Sequence, residues 1–371
     1  MSADFMSHFA PIPDPRIERC KRHELLDILF LSLSAVLCGA EGWEEREDFG
    51  HARLEWLRQY FPYASGIPRH DTLARVLSRL DPEALQRSFI GWVQAASELS
   101  DGEIVAIDGK TARRTFQKGD RKSALHRVSA WACRNGLVLG QQKVDNKSNE
   151  ITAIPAVLEL LALKGCIVTI DAMGTQREIA RHIRDRGADY VLALKGNQAT
   201  LNEEVRRLFE GPLPKGYSEQ RSDEQVEGGQ GRIESRHYRH ILLGKHVLPA
   251  AQGWPGLKSV LEVTATRDDG QKTSTQKRYF ICSLGLDVER AAQAVRQHGG
   301  IENKLHWVLD VTFREDESRI RRGNGAEVMS VLRRMTLNLL KQNTTSKASM
   351  KRKRKIAALD NKLRSEIIAG I

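Results

Sequence analysis

Two aspartates stand where short apolar runs end. In residues 104–114, IVAIDGKTARR, four apolar positions lead into Asp108, and Lys110, Arg113 and Arg114 follow, with Lys118 a little beyond. In residues 166–174, CIVTIDAMG, the run IVTI leads into Asp171. Runs rich in β-branched residues read as buried strands, and a carboxylate where such a strand emerges asks for a cation. Two core strands that each deliver an aspartate point to a metal site. Glu302 lies one step off the apolar stripe Ile301, Leu305 and Val308 of a helical pattern, with His306 on its own i, i+4 row. Two strand-borne aspartates and a helix-borne glutamate suit a pair of hard cations, Mg²⁺ or Mn²⁺, which take oxygen ligands. Without metal, three clustered carboxylates repel and one or more tends to protonate. Held about 3.5–4 Å apart, two such ions activate an attacking oxygen and stabilise the leaving one in an in-line phosphoryl displacement. Asp310, Glu315, Asp316 and Glu317 compete with Glu302 for the third place, but the stretch FREDE is mostly charged and reads as a solvated loop.

The balance of charge points the same way. Net charge is +11 over 371 residues, which favours polyanionic partners with salt-sensitive affinity. Five scattered cysteines with no CxxC pair indicate neither a disulfide framework nor a zinc site. A reducing cytoplasm is therefore expected. Residues 28–40 are the longest apolar stretch, too short to span a bilayer and interrupted by Ser32 and Ser34, so no membrane association is expected.

The elements that must position these acids follow from pattern. Residues 1–98 read as an all-helical domain, with Leu25, Leu29, Leu33 and Val36 at helical spacing. The segment 68–80 has Asp71 as its expected N-cap and Arg75 and Arg79 on its basic face, which fits either a helix-turn-helix-like DNA reader or a solvated packing helix. From 99 to 210 the order reads three strands, helix, strand, helix, strand, helix. Asn135-Gly136 marks a hairpin between the second and third strands. A helical crossover should then return the fourth strand parallel to one already in the sheet. If that neighbour is the first strand, Asp108 and Asp171 sit side by side. This is the element order of a ribonuclease H-like α/β core, a mixed sheet flanked by helices.

Residues 211–286 read as a β-strand insertion carrying Arg232, Arg236, Arg239, Lys277 and Arg278. Residues 287–345 return to helix, with a break expected at Gly299-Gly300. Residues 346–371 form a basic tail whose KRKRK run either tracks DNA backbone or is simply solvated. Lys195, Asn197 and Gln198 close the fifth strand, where open α/β sheets commonly bind ligands. DNA contact is the expectation there, strand termination at Gly196 the alternative. His298 and His306 are candidates for contact with a scissile phosphate or, as histidines near a helix surface more often are, structural. Trp307 reads as core or as a base-stacking platform.

Together these stretches resemble bacterial insertion-sequence transposases of the DDE superfamily, most closely the H-repeat-associated branch found with Rhs elements. The resemblance runs nearly end to end and rests on IPRHDTLARVLSRLDPE, AIDGKTAR, TIDAMGTQ, YVLALKGNQ, GRIESR and IENKLHWVLDVTFREDESRIRRGNGAE. It implies a ribonuclease H-like catalytic core, metal-dependent DNA cleavage and strand transfer, and Asp108, Asp171 and Glu302 as the triad. It implies DNA partners too: the element's terminal repeats and its target, bound by a homodimer, with Lys110, Arg113 and Arg114 close to the metals. Two features depart from the pattern. Gly299-Gly300 stands where relatives carry a tryptophan after the histidine, and Val295, His298 and Leu309 occupy the places of the superfamily's Tyr, Arg and Lys. Two other readings therefore stay open: a nuclease of the same fold that only hydrolyses, and a DNA-binding remnant without chemistry.

Overall fold

The computed structural model describes residues 2–96, 99–116, 123–144, 149–228, 232–244 and 248–369; Lys118 lies outside them. The chain opens with helices α1 (Ser2–Phe9), α2 (Leu25–Leu37), α3 (Trp43–Ala52), α4 (Leu54–Leu57), α5 (His70–Leu77) and α6 (Pro82–Ala96). A mixed α/β stretch follows: β1 (Ile104–Thr111), β2 (His126–Ala132), β3 (Leu137–Lys143), α7 (Glu150–Leu160), β4 (Ile167–Ile170), α8 (Arg177–Asp185), β5 (Asp189–Leu194) and α9 (Ala199–Glu210). Strands β6 (Ser218–Gly228), β7 (Arg232–Leu242), β8 (Ser259–Asp268) and β9 (Thr273–Cys282) come next. The chain then returns to helix in α10 (Val288–His298), α11 (Trp307–Val311), α12 (Gly325–Gln342), α13 (Met350–Leu359) and α14 (Asn361–Ile368).

All nine strands form one sheet, in the order β3-β2-β1-β4-β5-β9-β8-β7-β6. The β2–β3 hairpin turns at Gly136, whose φ of +66° is the left-handed conformation that favours glycine. Strand β4 pairs parallel to β1, and β5 parallel to β4. The strands after residue 211 are not a separate sheet: β9 pairs antiparallel to β5, from Val191↔Cys282 to Leu194↔Tyr279, so the four-stranded meander extends the core. Strand β6 went unrecognised in the sequence because SEQRSDEQVEG carries almost no apolar alternation. Its backbone is held by eleven consecutive pairings to β7.

The N-terminal helices pack on the α/β part through α12, which contacts α2, α5, α6 and β3. Helix α5 ends at Leu77 and is preceded by Arg69 with no side-chain cap. Asp71 therefore sits inside the first turn, and Arg79 lies beyond the helix. The expected basic tail differs from what is observed. Helices α13 and α14 pack on α2 and α12, and within KRKRK the side chains of Lys353 and Arg354 are buried. Lys353 Nζ donates to the Leu340 carbonyl at 3.1 Å and Arg354 Nη2 to the Val36 carbonyl at 2.7 Å, so these charges bind open helix ends instead of solvent. Among the described residues, no helix is long and apolar enough to cross a membrane.

Helix α2 is apolar nearly all round, and its one ionisable side chain, Asp27, is buried with Oδ1 unpartnered. Burial, with Glu24 adding to it, pushes the Asp27 carboxyl up to about 6, while a backbone N–H at Tyr63 pulls the other way. Because the folded value exceeds the unfolded one, the folded state binds the extra proton, and this contribution to stability is lost as pH rises from about 4 through 6. Asp27→Asn should therefore stabilise the protein by about 2 kcal/mol at pH 7 and by almost nothing at pH 4. Thermal melts at the two pH values check this.

Candidate active site

The register of β1 against β4 builds the site. Ile104 pairs with Ile167 and Ile107 with Ile170, so Asp108 and Asp171 are each the next residue, on adjacent parallel strands. Asp171 leaves the sheet at that point, and its Oδ1 accepts the Gly174 N–H at 3.2 Å. Burial pushes the Asp108 carboxyl up to about 7, against the Gly109 N–H, with Glu150, Asp171 and Glu302 each adding repulsion. Asp108 thus feels the charge of three other carboxylates.

Glu150 is the acid that the sequence reading missed. It opens α7, and a Cβ placed on Gly109 would meet its Oε1 at 2.0 Å. Gly109 is thus the residue that lets this carboxylate lie on the β1 backbone. Glu150 Oε1 is also 2.9 Å from His126 Nε2. The signal available in sequence was the bare glycine after Asp108, which marks a close approach but not by what.

Glu302 is exposed and starts a single π-helical turn, Glu302–His306, between α10 and α11. Such turns inside helices frequently occur at functional sites. The expected break at Gly299-Gly300 is only a turn: Gly299 keeps right-handed helical dihedrals, and a Cβ on either glycine would find its nearest neighbour at 3.8 Å. Space does not demand glycine there. At the end of the π turn His306 is buried, its Nδ1 3.4 Å from Asp108 Oδ2. Burial, with Arg334 and Lys110 contributing, pulls its pKa down to about 3, so the ring beside Asp108 is neutral at pH 7.

The expected DNA-contacting residues divide into free and engaged. Lys195, Arg75 and Arg79 are exposed. Lys110 is buried and donates to Asp310 Oδ2 at 2.7 Å, with Asp316 at 3.6 Å. Arg113 is exposed but pairs with Asp316 at 3.3 Å, while Arg114 is exposed and its carbonyl accepts from Arg321 Nε at 2.8 Å. Asn197 donates to the Ala172 carbonyl and Gln198 to the Thr175 carbonyl at 3.0 Å, so both amides hold the loop after Asp171. His298 is half-buried, with Nδ1 2.9 Å from Thr169 Oγ1. Burial lowers its pKa. Trp307 is 58% exposed and not a core residue. On the outer strands Arg236, Arg239 and Lys277 all lie in ion pairs with Glu234, Glu219 and Glu262. A cavity of about 520 Å³ opens beside Asp171, lined by Lys195, Arg278, Phe280 and His298 among others.

FREDE is not a solvated loop. Glu315 is fully buried and accepts from Arg127 Nη2 of β2 at 3.0 Å and from Arg334 Nη1 of α12 at 2.9 Å. Its flanking Asp316 takes Lys110 and Arg113 on the outer side. The acids that competed with Glu302 for a ligand role are thereby committed to cations of the protein itself.

The donor set, carboxylate oxygens on two adjacent strands with Glu302 close enough to act on Asp108, fits a hard divalent cation in kind, since added positive charge offsets the burial and repulsion that raise Asp108. Among the described residues, no group of three or more His, Cys, Asp or Glu side chains is already drawn together as a metal site.

Comparison with known proteins gives the family. Residues 99–339 match the family described as Transposase DDE domain, and residues 6–93 match the family described as DDE_Tnp_1-associated. The chain belongs to the DDE transposase family. A relative named "Putative transposase YncI" from Escherichia coli O157:H7 is 45% identical over 98% of this chain and 94% of its own length. "H repeat-associated putative transposase YhhI" from Escherichia coli K12 is 40% identical over 98% and 97%. Within the family the chain falls in the H-repeat-associated branch. Among solved structures, a piggyBac transposase synaptic complex with hairpin DNA aligns at TM-score 0.45 and 9% identity over 99% of this chain and 75% of that one; a likeness that distant carries no argument.

Removing one partner from a buried ion cluster leaves uncompensated charge, which typically costs 3–5 kcal/mol. Glu315→Gln should therefore lower unfolding free energy by about 3 kcal/mol or more, whereas exposed Glu317→Gln should leave it nearly unchanged. Urea unfolding of the two variants measures both.

Proposed function

We propose that the chain is a metal-dependent transposase with a ribonuclease H-like catalytic core, which cuts the ends of its own element and joins their 3′ ends to target DNA. The observation that carries this reading is the parallel register that sets Asp108 beside Asp171 at adjacent strand ends. Family membership and the proximity of Glu302 to Asp108 support it.

Asp108, Asp171 and Glu302 would hold Mg²⁺ or Mn²⁺, which when bound supplies charge stabilisation to the attacking and leaving oxygens of a phosphodiester. The remaining work falls to the chain's own groups. The 3.4 Å approach of neutral His306 to Asp108 Oδ2 fixes the carboxylate's orientation without competing for it as a cation would. Lys110 pins Asp310 and Asp316, and so holds the segment after the π turn against β1. Asn197 and Gln198 steady the loop that follows Asp171. Exposed Lys195, Arg113 and Arg114 flank the strand ends and would bind the backbone of the scissile strand. Joining two element ends in one event calls for two copies of the chain on DNA.

The test is cleavage and strand transfer of a duplex bearing the short inverted repeats that flank the coding region, in Mg²⁺. Asp108→Asn and Asp171→Asn should each abolish both steps, by 10³-fold or more, and Glu302→Gln should do the same. Full activity in the aspartate variants would refute the site. Cleaved ends without joined product would identify a hydrolytic nuclease instead. DNA binding without either product would identify a remnant.

A further inference from the structure

A second basic feature lies away from the carboxylates, between the N-terminal helices and the segment that follows α11. A cavity of about 650 Å³ is walled on one side by the start of α3 and by α5, and on the other by residues 313–322. Five arginines line it against three glutamates. Arg314 is shared between two of those glutamates, 3.4 Å from Glu41 and paired with Glu317. Arg319 and Arg322 are exposed on the rim, and among the described residues neither has an ion pair.

The decisive residue is Arg333 of α12. Its side chain is 95% buried and lines this cavity, yet among the described residues it makes no hydrogen bond and no ion pair. Its neighbours on the helix and in the FREDE segment are committed elsewhere: Arg334 and Arg127 already share Glu315. The Arg333 nitrogens are not among the fully buried unpartnered atoms, and five N–H donors in a planar fork match the oxygens of a phosphate. Burial indeed weakens its hold on the proton, with Arg334 adding to this and Glu315 and Glu41 opposing.

The cavity is also joined to the candidate active site. Arg321 crosses from its wall to donate to the Arg114 carbonyl at 2.8 Å and stacks on Phe116 at 4.6 Å. Arg114 lies three residues past β1, the strand that carries Asp108.

We propose that this cavity is a phosphate-binding site in which Arg333, assisted by Arg319 and Arg322 at the rim, holds a backbone phosphate of the DNA whose scissile bond lies at the carboxylates. This rests on the DNA-processing reading above and extends it to a second anchoring point shared by the N-terminal helices and the α/β core. One bound phosphate here would fix the direction in which a duplex leaves the strand ends.

The experiment uses the full chain, a fluorescent 30-base-pair duplex of arbitrary sequence, and anisotropy titrations between about 50 and 200 mM NaCl, with calorimetric titration of inorganic phosphate at constant ionic strength. Arg333→Met and the rim variant Arg319→Ala/Arg322→Ala should each weaken DNA binding about 10-fold and reduce the slope of log affinity against log salt by about one. Lys362→Ala, an exposed cation on α14, should change neither. Unchanged affinity and slope in both cavity variants, with wild-type binding intact, overturns the proposal and leaves the transposase reading standing. Saturable phosphate binding that Arg333→Met removes without altering the DNA titration assigns the cavity to a free anion, and overturns the DNA assignment. A wild type that binds no DNA sinks both readings. Should Arg333→Met fail to fold by circular dichroism, the exposed rim variant decides alone.

Discussion

The parallel pairing of β1 with β4 is the constraint on which the rest depends. Two strands buried on both faces cannot slide past one another by a residue without turning every side chain to the opposite face, so their ends are fixed relative to each other. An aspartate stands on each side at the position where the parallel pairing ends, Asp108 still inside β1 and Asp171 just past β4. Two carboxylates are held close in a partly dry setting where neither would settle alone, and the high carboxyl of Asp108 records the cost. Glu150 and Glu302 increase that cost. Grouping carboxylates on rigid elements in this way carries a cost that the scaffold must offset elsewhere.

Read as a sum, the surplus of basic residues looks like a footprint for polyanions, but part of the chain's positive charge is internal. Arg127 and Arg334 close on Glu315, Lys110 on Asp310 and Asp316, and Lys353 and Arg354 on open carbonyls of neighbouring helices. These contacts lock the segment after the π turn between β1, β2 and α12, which in turn sets where Glu302 and His306 stand. Among the cations that stay exposed, Lys195 and Arg114 lie near the acids and Arg319 and Arg322 at the rim of the second cavity, which buried Arg333 also lines. Position, not the total, distinguishes scaffold charges from those available to a partner.

The strands that carry the aspartates were legible because burial on both faces leaves a strong, short apolar signal, and the Asn-Gly hairpin was legible because its backbone conformation restricts residue type. What stayed hidden depended on distant partners. Glu315 looks solvated from its neighbours, and only the arrival of Arg127 and Arg334 from two other elements makes its burial affordable. The KRKRK run misleads for the same reason: two of its five cations meet carbonyls brought by α2 and α12. Strand β6 has no apolar alternation to display, since its place is set by pairing with β7. The glycines at 299 and 300 suggested a break, whereas the chain turns once and stays helical, because packing of α10 and of Ile301 and Leu305 against the core overrides local propensity.

The central claim, that the β1–β4 register creates a shared site for divalent cation, is tested most directly by titrating the protein with Mn²⁺ and following the loss of the free-ion signal by electron paramagnetic resonance. The account predicts saturable binding in the wild type, competed by Mg²⁺ and lost in both Asp108→Asn and Asp171→Asn while each variant remains folded. Binding that persists unchanged in the two variants, or a folded wild type that takes up no Mn²⁺ at millimolar concentration, would contradict it.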